Sequence, residues 1–186
     1  MQHPNKKLTD FRRLYKLYEA GTIFTAFDTE TTTVTPTTGR IIEIGAVKFS
    51  KDGIIQTWSN LFYPDQILSP FIIKLTHITQ EMVDSADPIQ DHLPSFLSFI
   101  KDTVLLGHNV QYDLNFLNAE CQNCGFPPTH NKVIDTLQFS RVKFPQLEKH
   151  KLDFLADEFK INKGSSHRAL DDAKTCMEVF KICLGI

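Results

Sequence analysis

Long apolar runs are the first thing this chain lacks. No stretch approaches the roughly 20 residues needed to cross a bilayer, and the N-terminal MQHPNKKLTDFRRLYKLYEAG has no continuous apolar core of the signal-peptide kind. A cytoplasmic protein without a membrane partner is the expectation. A large net charge is also missing, since 20 Lys and Arg face 22 Asp and Glu for a formal net charge of −2. That balance counts against tight, nonspecific duplex binding, which rests on many cation–phosphate contacts, but leaves room for a site handling one or two phosphates through metal ions. Cysteine is scarce: Cys121, Cys124, Cys176 and Cys183 do not make a disulfide framework. Cys121 and Cys124 form a CxxC near His130, yet a structural zinc site takes four ligands and there is no second CxxC or HxxxH. The four are read as small buried hydrophobes. Repeats, low-complexity tracts and a dividing linker are absent too. At 186 residues the chain reads as one domain, residues 21–186, behind an N-terminal helical extension, residues 1–20.

What is there is ordered by periodicity. Leu8, Phe11, Leu14, Tyr15 and Tyr18 recur at helical spacing over 8–19, with Arg12, Arg13 and Lys16 elsewhere on the wheel. Packing is the expected role of this helix; a basic surface for a nucleic-acid strand is the alternative. Three strand-like runs follow, IFTAFDTE, RIIEIGAVKF and IIQTWSNLFY, the last two joined by SKDG, whose Asp52-Gly53 pair signals a hairpin. An antiparallel meander results. Beyond Tyr63, Thr79 and Pro88 mark helix starts and IQDHLPSFLSFI reads as a helix. Then come a short strand TVLLG, a helix over about 110–124, a strand KVIDTLQF, and closing helices HKLDFLADEF and RALDDAKTCMEVFKIC. A meander followed by strand–helix alternation predicts an α/β mixed sheet with helices packed on it.

FTAFDTETT, residues 24–32, sets two carboxylates at the end of an apolar strand. Side chains alternate along a strand, so Asp28 and Glu30 share a face about 7 Å apart and repel each other, more strongly when partly buried. Something positive is expected between them. Two helices supply further acids. In GHNVQYDLNFL, Asp113 lies at the edge of the stripe made by Val110, Leu114, Leu117 and Cys121. In the last helix Ala169, Ala173, Cys176, Met177, Phe180 and Leu184 define the buried face, which Asp172 borders and Asp171 opposes. His167 follows Gly164, Ser165 and Ser166 and can reach the same neighbourhood. Taken singly, these features read as a surface acid pair, a helix-start acid and a helix cap. Together, four carboxylates without clustered thiolates suit a hard cation, Mg²⁺ or Mn²⁺.

In order, FDTETT, GHNVQYDLNFL and HRALDDA resemble the three motifs of the DEDDh 3′–5′ exonuclease superfamily, in particular the proofreading epsilon subunits of bacterial DNA polymerase III and their stand-alone relatives. The likeness runs from about Ile23 to the C-terminus, with RIIEIGAVKF and, more loosely, LTHITQEMV also similar. It implies an RNase H-like fold, a five-stranded mixed sheet flanked by helices, with 21–186 as the exonuclease domain. It implies two Mg²⁺ (or Mn²⁺) ions, with Asp28 on both, Glu30 and Asp172 completing the nucleophile-side ion and Asp113 acting on the other. It implies His167 as the base that takes a proton from the attacking water as neutral imidazole, so that activity falls on acidification.

The expected reaction releases nucleoside 5′-monophosphates from the 3′ end of single-stranded nucleic acid, DNA rather than RNA. Thr29 and Thr31 are expected to place backbone groups near the terminal 3′-hydroxyl, and Phe116 to stack on a base unless it belongs to the core. His108 and Asn109 are read as holding their loop. The sequence ends soon after the last motif, from which a stand-alone enzyme is expected rather than a tethered proofreader. Association with a DNA polymerase stays open, as do a phosphodiesterase for short oligonucleotides and a non-catalytic binding module on the same fold.

Overall fold

Two antiparallel pairings and two parallel ones build the sheet, and the change between them falls at its central strand. The computed structural model of the chain describes residues 5–164 and 167–186; the first four residues of the expected extension, and Ser165 and Ser166, lie outside the described residues. β1 (Phe24–Thr31), β2 (Ile41–Ser50) and β3 (Gly53–Leu61) form the expected meander, while β4 (Val104–Gly107) and β5 (Val133–Asp135) add in parallel, for the order β3-β2-β1-β4-β5. The loop of the β2–β3 hairpin is Lys51-Asp52, one residue earlier than the Asp52-Gly53 signal, and Gly53 opens β3 at φ +118°, where a side chain would be strained.

Alternation along β1 sends Phe24 and Ala26 to one face and Phe27 to the other. On the first face they pack with Val47, Phe49 and the apolar side of α8 (Ala169–Leu184), joined by Phe139 of α6 (Thr136–Lys143) and Leu155 of α7 (Leu152–Glu158). α1 (Phe11–Glu19) closes this layer with buried Leu14 and Tyr18, and its N-cap Asp10 accepts the Arg13 N–H at 3.1 Å. On the second face Phe27 meets Phe96 of α4 (Ile89–Ile100) and Leu114 and Leu117 of α5 (Gln111–Asn123). Two short helices, α2 (Pro70–Thr76) and α3 (Gln80–Asp84), cover the end of β2 around Ile42; Ser69 and Thr79 cap them.

One element departs from expectation. KVIDTLQF is strand only through Asp135, because the Asp135 carboxylate accepts the Leu137 N–H at 3.1 Å and starts α6. Its apolar residues are read by a helical period from there on.

Candidate active site

β1 outruns its neighbour. Parallel pairing with β4 ends at Ala26↔Leu106, while pairing with β2 continues through Glu30↔Glu43, so residues 28–30 stand beside a gap in the sheet. α5 fills that gap with its first turn. The Thr29 backbone N–H donates at 3.0 Å, and its hydroxyl at 2.8 Å, to the carboxylate of Asp113. Asp113 thereby takes the place of a β4 carbonyl as well as facing its fellow acids. Asp135 acts one loop away: the oxygen that caps α6 also accepts the Asn109 N–H at 3.0 Å, fixing the turn from which α5 departs.

The other contributor is α8, and a glycine decides how close it comes. Gly45 is the register partner of Asp28, and a Cβ there would run into the backbone of Ala169 and Leu170. Only a bare backbone lets the start of α8 lie against β2. Glu43, two residues earlier and 2 % exposed, grips that start: one oxygen accepts the Ala169 N–H at 2.9 Å, and the pair receives Nε and Nη2 of Arg168 at 2.8–3.2 Å. Just ahead of the helix, His167 sits at φ +62° and its backbone N–H donates to Asp172 at 3.0 Å. Asp171 faces outward to Lys174, as the helical wheel anticipates.

Ligand atoms of Glu30, Asp172 and His167 consequently lie within 4.8 Å of one another, the one such cluster of three among the described residues. Glu30 and Asp172 are each 9 % exposed and Asp113 3 %. Burial raises all four carboxyls. Asp28 is pushed well above the usual range by burial and then by Asp113 and Glu30. Glu30 rises to about 8 by burial, Asp172 and Glu43, with Arg168 opposing. Asp113 rises to about 7 by burial, against the Thr29 hydrogen bonds, and Asp172 to about 7 by burial, against the His167 N–H. Among the described residues no lysine or arginine is hydrogen-bonded to any of the four. A buried all-oxygen donor set with a histidine at its rim, short of positive charge, fits hard divalent cations.

The remaining expected site residues, Thr29 and Thr31 beside the acids of β1 and Phe116 on α5, have their own contacts. The Thr29 side chain is spent on Asp113, and the Thr31 hydroxyl pairs with Tyr112 at 2.8 Å and the Thr33 carbonyl at 2.7 Å. Phe116 is 1 % exposed in the core layer of α4 and α5, behind Tyr112, and presents no open face for a base. The sequence puts it three residues after Asp113 with a core role as the alternative to stacking, and the packing is that of the core. Cys121 is buried and Cys124 half-buried, and burial raises the Cys121 thiol to about 11, so both are neutral packing groups. Glu43, Arg168 and Gly45 are what the motifs alone overlook. A lone acid followed by a glycine inside the apolar run IIEIGAV was their signal.

Comparison with known proteins gives the family and the fold. Residues 25–180 match the RNase_T family model, an exonuclease family. A DNA polymerase III subunit epsilon of Treponema pallidum is 44 % identical over 159 residues, covering 84 % of this chain and 74 % of that protein. A PolC-type DNA polymerase III of Caldanaerobacter subterraneus is 40 % identical over 157 residues, but the chain spans only 11 % of its length. Among solved structures, E. coli exonuclease I with single-stranded DNA superposes with a TM-score of 0.79 at 19 % identity, over 87 % of this chain and 40 % of that one. Exonuclease X with 5′-overhanging duplex DNA gives 0.69 at 23 %, over 87 % and 91 %. At such identities the structures establish the fold, which is RNase H-like. The chain belongs to the RNase_T exonuclease family, as a DEDDh-type member resembling the epsilon subunits.

Proposed function

We propose that this chain is a two-metal 3′–5′ exonuclease of the cytoplasm that removes nucleoside 5′-monophosphates from the 3′ end of a DNA strand. The observation that carries the reading is the clustering of Glu30, Asp172 and His167, with Asp28 and Asp113 close enough to raise their fellow acids, and no lysine or arginine among the described residues hydrogen-bonded to the four carboxylates. DNA is favoured over RNA because the similar polymerase III proteins are DNA enzymes, and a DNA polymerase is the partner that the same likeness suggests.

Bound Mg²⁺ or Mn²⁺ would supply Lewis-acid stabilisation of the phosphate and acidify the attacking water. Asp28, Glu30, Asp113 and Asp172 would hold the ions, and Thr29 keeps Asp113 aimed. His167, with a side chain 42 % exposed and Nε2 3.9 Å from the Asp153 carboxylate, takes the water's proton on a ring nitrogen. Water's oxygen bonds to phosphorus, the P–O3′ bond breaks, the 3′-oxygen of the shortened strand leaves and takes up a proton from solvent, and the phosphate stays on the 5′-oxygen of the released nucleoside. His167→Ala is expected to lower kcat by about 10²–10⁴-fold; near-parental activity across pH would remove His167 as the base.

The direct test uses matched 5′-labelled single-stranded DNA and RNA oligomers with Mg²⁺, Mn²⁺ or chelator, for the parent and Asp28→Ala. DNA should shorten from its 3′ end, faster than RNA, and only with metal and parent. Intact oligomers with folded, metal-bound protein would sink the proposal.

A further inference from the structure

Residues 141–151, RVKFPQLEKHK, hold four lysines and arginines and one glutamate in a chain whose net charge is −2. Part of this basic stretch walls a groove of about 590 Å³, lined by Asn109, Arg141, Glu148, Lys149 and Lys151 with His108 and His150 behind. The groove is a built feature. Burial pulls the His108 imidazole below its ordinary pKa; its Nε2–H donates to the His150 carbonyl at 2.7 Å, and Nδ1 lies 3.0 Å from the Thr136 hydroxyl. His150 Nδ1 meets the Ser140 hydroxyl at 3.1 Å. His150 is thereby pinned at both ring and backbone, with Lys149 and Lys151 on either side of it.

Charge in the groove is available. Arg141 and Lys151 make no ion pair among the described residues, and Lys149 meets only the exposed neighbour Glu148, at 3.6 Å. Asn109, at φ +65° on the near rim, spends its backbone N–H on Asp135, and its exposed side-chain amide has no hydrogen-bond partner among the described residues. Both ends of the groove wall connect to the active site. Asn109 stands four residues before Asp113, and Lys151 caps α7, whose Asp153 lies 3.9 Å from His167.

We infer that this groove carries the sugar–phosphate backbone of the substrate strand on the 5′ side of the scissile bond, Arg141, Lys149, Lys151 and the Asn109 amide each meeting phosphate oxygens. The inference rests on the exonuclease reading and supplies what the acidic site cannot: cationic contacts for the rest of a polyanion.

The test compares the parent with R141A/K149A/K151A on two substrates, a 5′-labelled single-stranded 20-mer and the p-nitrophenyl ester of thymidine 5′-monophosphate. The ester fills only the site, so its hydrolysis should stay within about twofold. For the 20-mer, kcat/KM should fall about tenfold or more at low salt, mostly in KM, and its logarithmic salt dependence should flatten by roughly 0.7 per lost phosphate contact. K149R/K151R should keep parental values. Unchanged 20-mer kinetics and salt slope, or an equal loss on the ester, would overturn the groove assignment. Should the parent cleave neither substrate, the exonuclease reading fails; fluorescence anisotropy of the labelled 20-mer with chelator then still decides the groove, by whether the triple substitution weakens binding.

Discussion

Glu30 and Glu43 oppose each other across β1 and β2, the same side chain on the same face of one sheet, yet the fold treats them oppositely. Glu43 receives Arg168 and a helix N–H and is satisfied by the protein. Glu30 joins Asp28, Asp113 and Asp172, whose hydrogen-bond donors among the described residues are hydroxyls and backbone amides at best, and its carboxyl is driven up to about 8. Where the chain brings its own cation, the acid builds structure: it fastens α8. Where it leaves the cation out, the acid is costly in the bare protein and useful for metal chemistry.

The contrast breaks most sharply at Asp28. Asp28→Asn should cost on the order of a thousandfold or more in hydrolysis, because several kcal/mol of charge stabilisation is lost, while raising the melting temperature of the metal-free protein by relieving repulsion. Calorimetry beside an oligonucleotide assay checks both; a drop in stability would mean that Asp28 is a structural acid like Glu43.

Next comes Gly45→Ala, whose methyl meets backbone of Ala169 and Leu170 rather than a yielding side chain. Displacing the start of α8 should destabilise by about 1–3 kcal/mol and cost about a hundredfold in rate through misplaced Asp172 and His167. Full activity would show that α8 need not lie so close.

Glu43→Gln leaves Arg168 without its counter-charge. With Arg168 about a third exposed at 35 %, a loss of about 1–3 kcal/mol is expected, together with about a 10–100-fold loss in activity that acts through the position of Asp172. Unaltered metal affinity and rate would confine Glu43 to stability alone.

The smallest effect sharpens the comparison most cleanly. Each site carboxyl holds its proton more tightly in the fold than in the unfolded chain, so between about pH 4 and pH 8 the unfolded state binds fewer protons and stability falls as pH rises. With chelator, the melting temperature should drop by several degrees across that window, and Mn²⁺ should restore more at pH 8 than at pH 5. Glu30→Gln/Asp172→Asn should flatten the trend; an equally steep slope in that variant would place its origin elsewhere.

How much of this was legible beforehand varies by element. The β1 acids, the side of α8 that carries Asp172 and the meander all follow from period-2 and period-3.6 patterning, which is local. The first half of α6, Thr136–Phe139, was read as strand because a capping aspartate and a strand-ending aspartate look alike until Asp135 is seen to accept from Leu137. Phe116 was placed near the acids in sequence, but only the packing of α5 against α4 shows it turned into the core.

By itself, then, the sequence determined which residue types exist to do the chemistry, their order, and the face of each element they occupy, because side-chain periodicity is set by covalent geometry. Only the tertiary structure decided that β4 stops short so that Asp113 can take the Thr29 N–H, that Gly45 admits α8, and that one glutamate of an opposed pair is neutralised while the other is not. Those outcomes depend on distances between segments from 84 to 126 residues apart, and on which charges burial leaves without a partner.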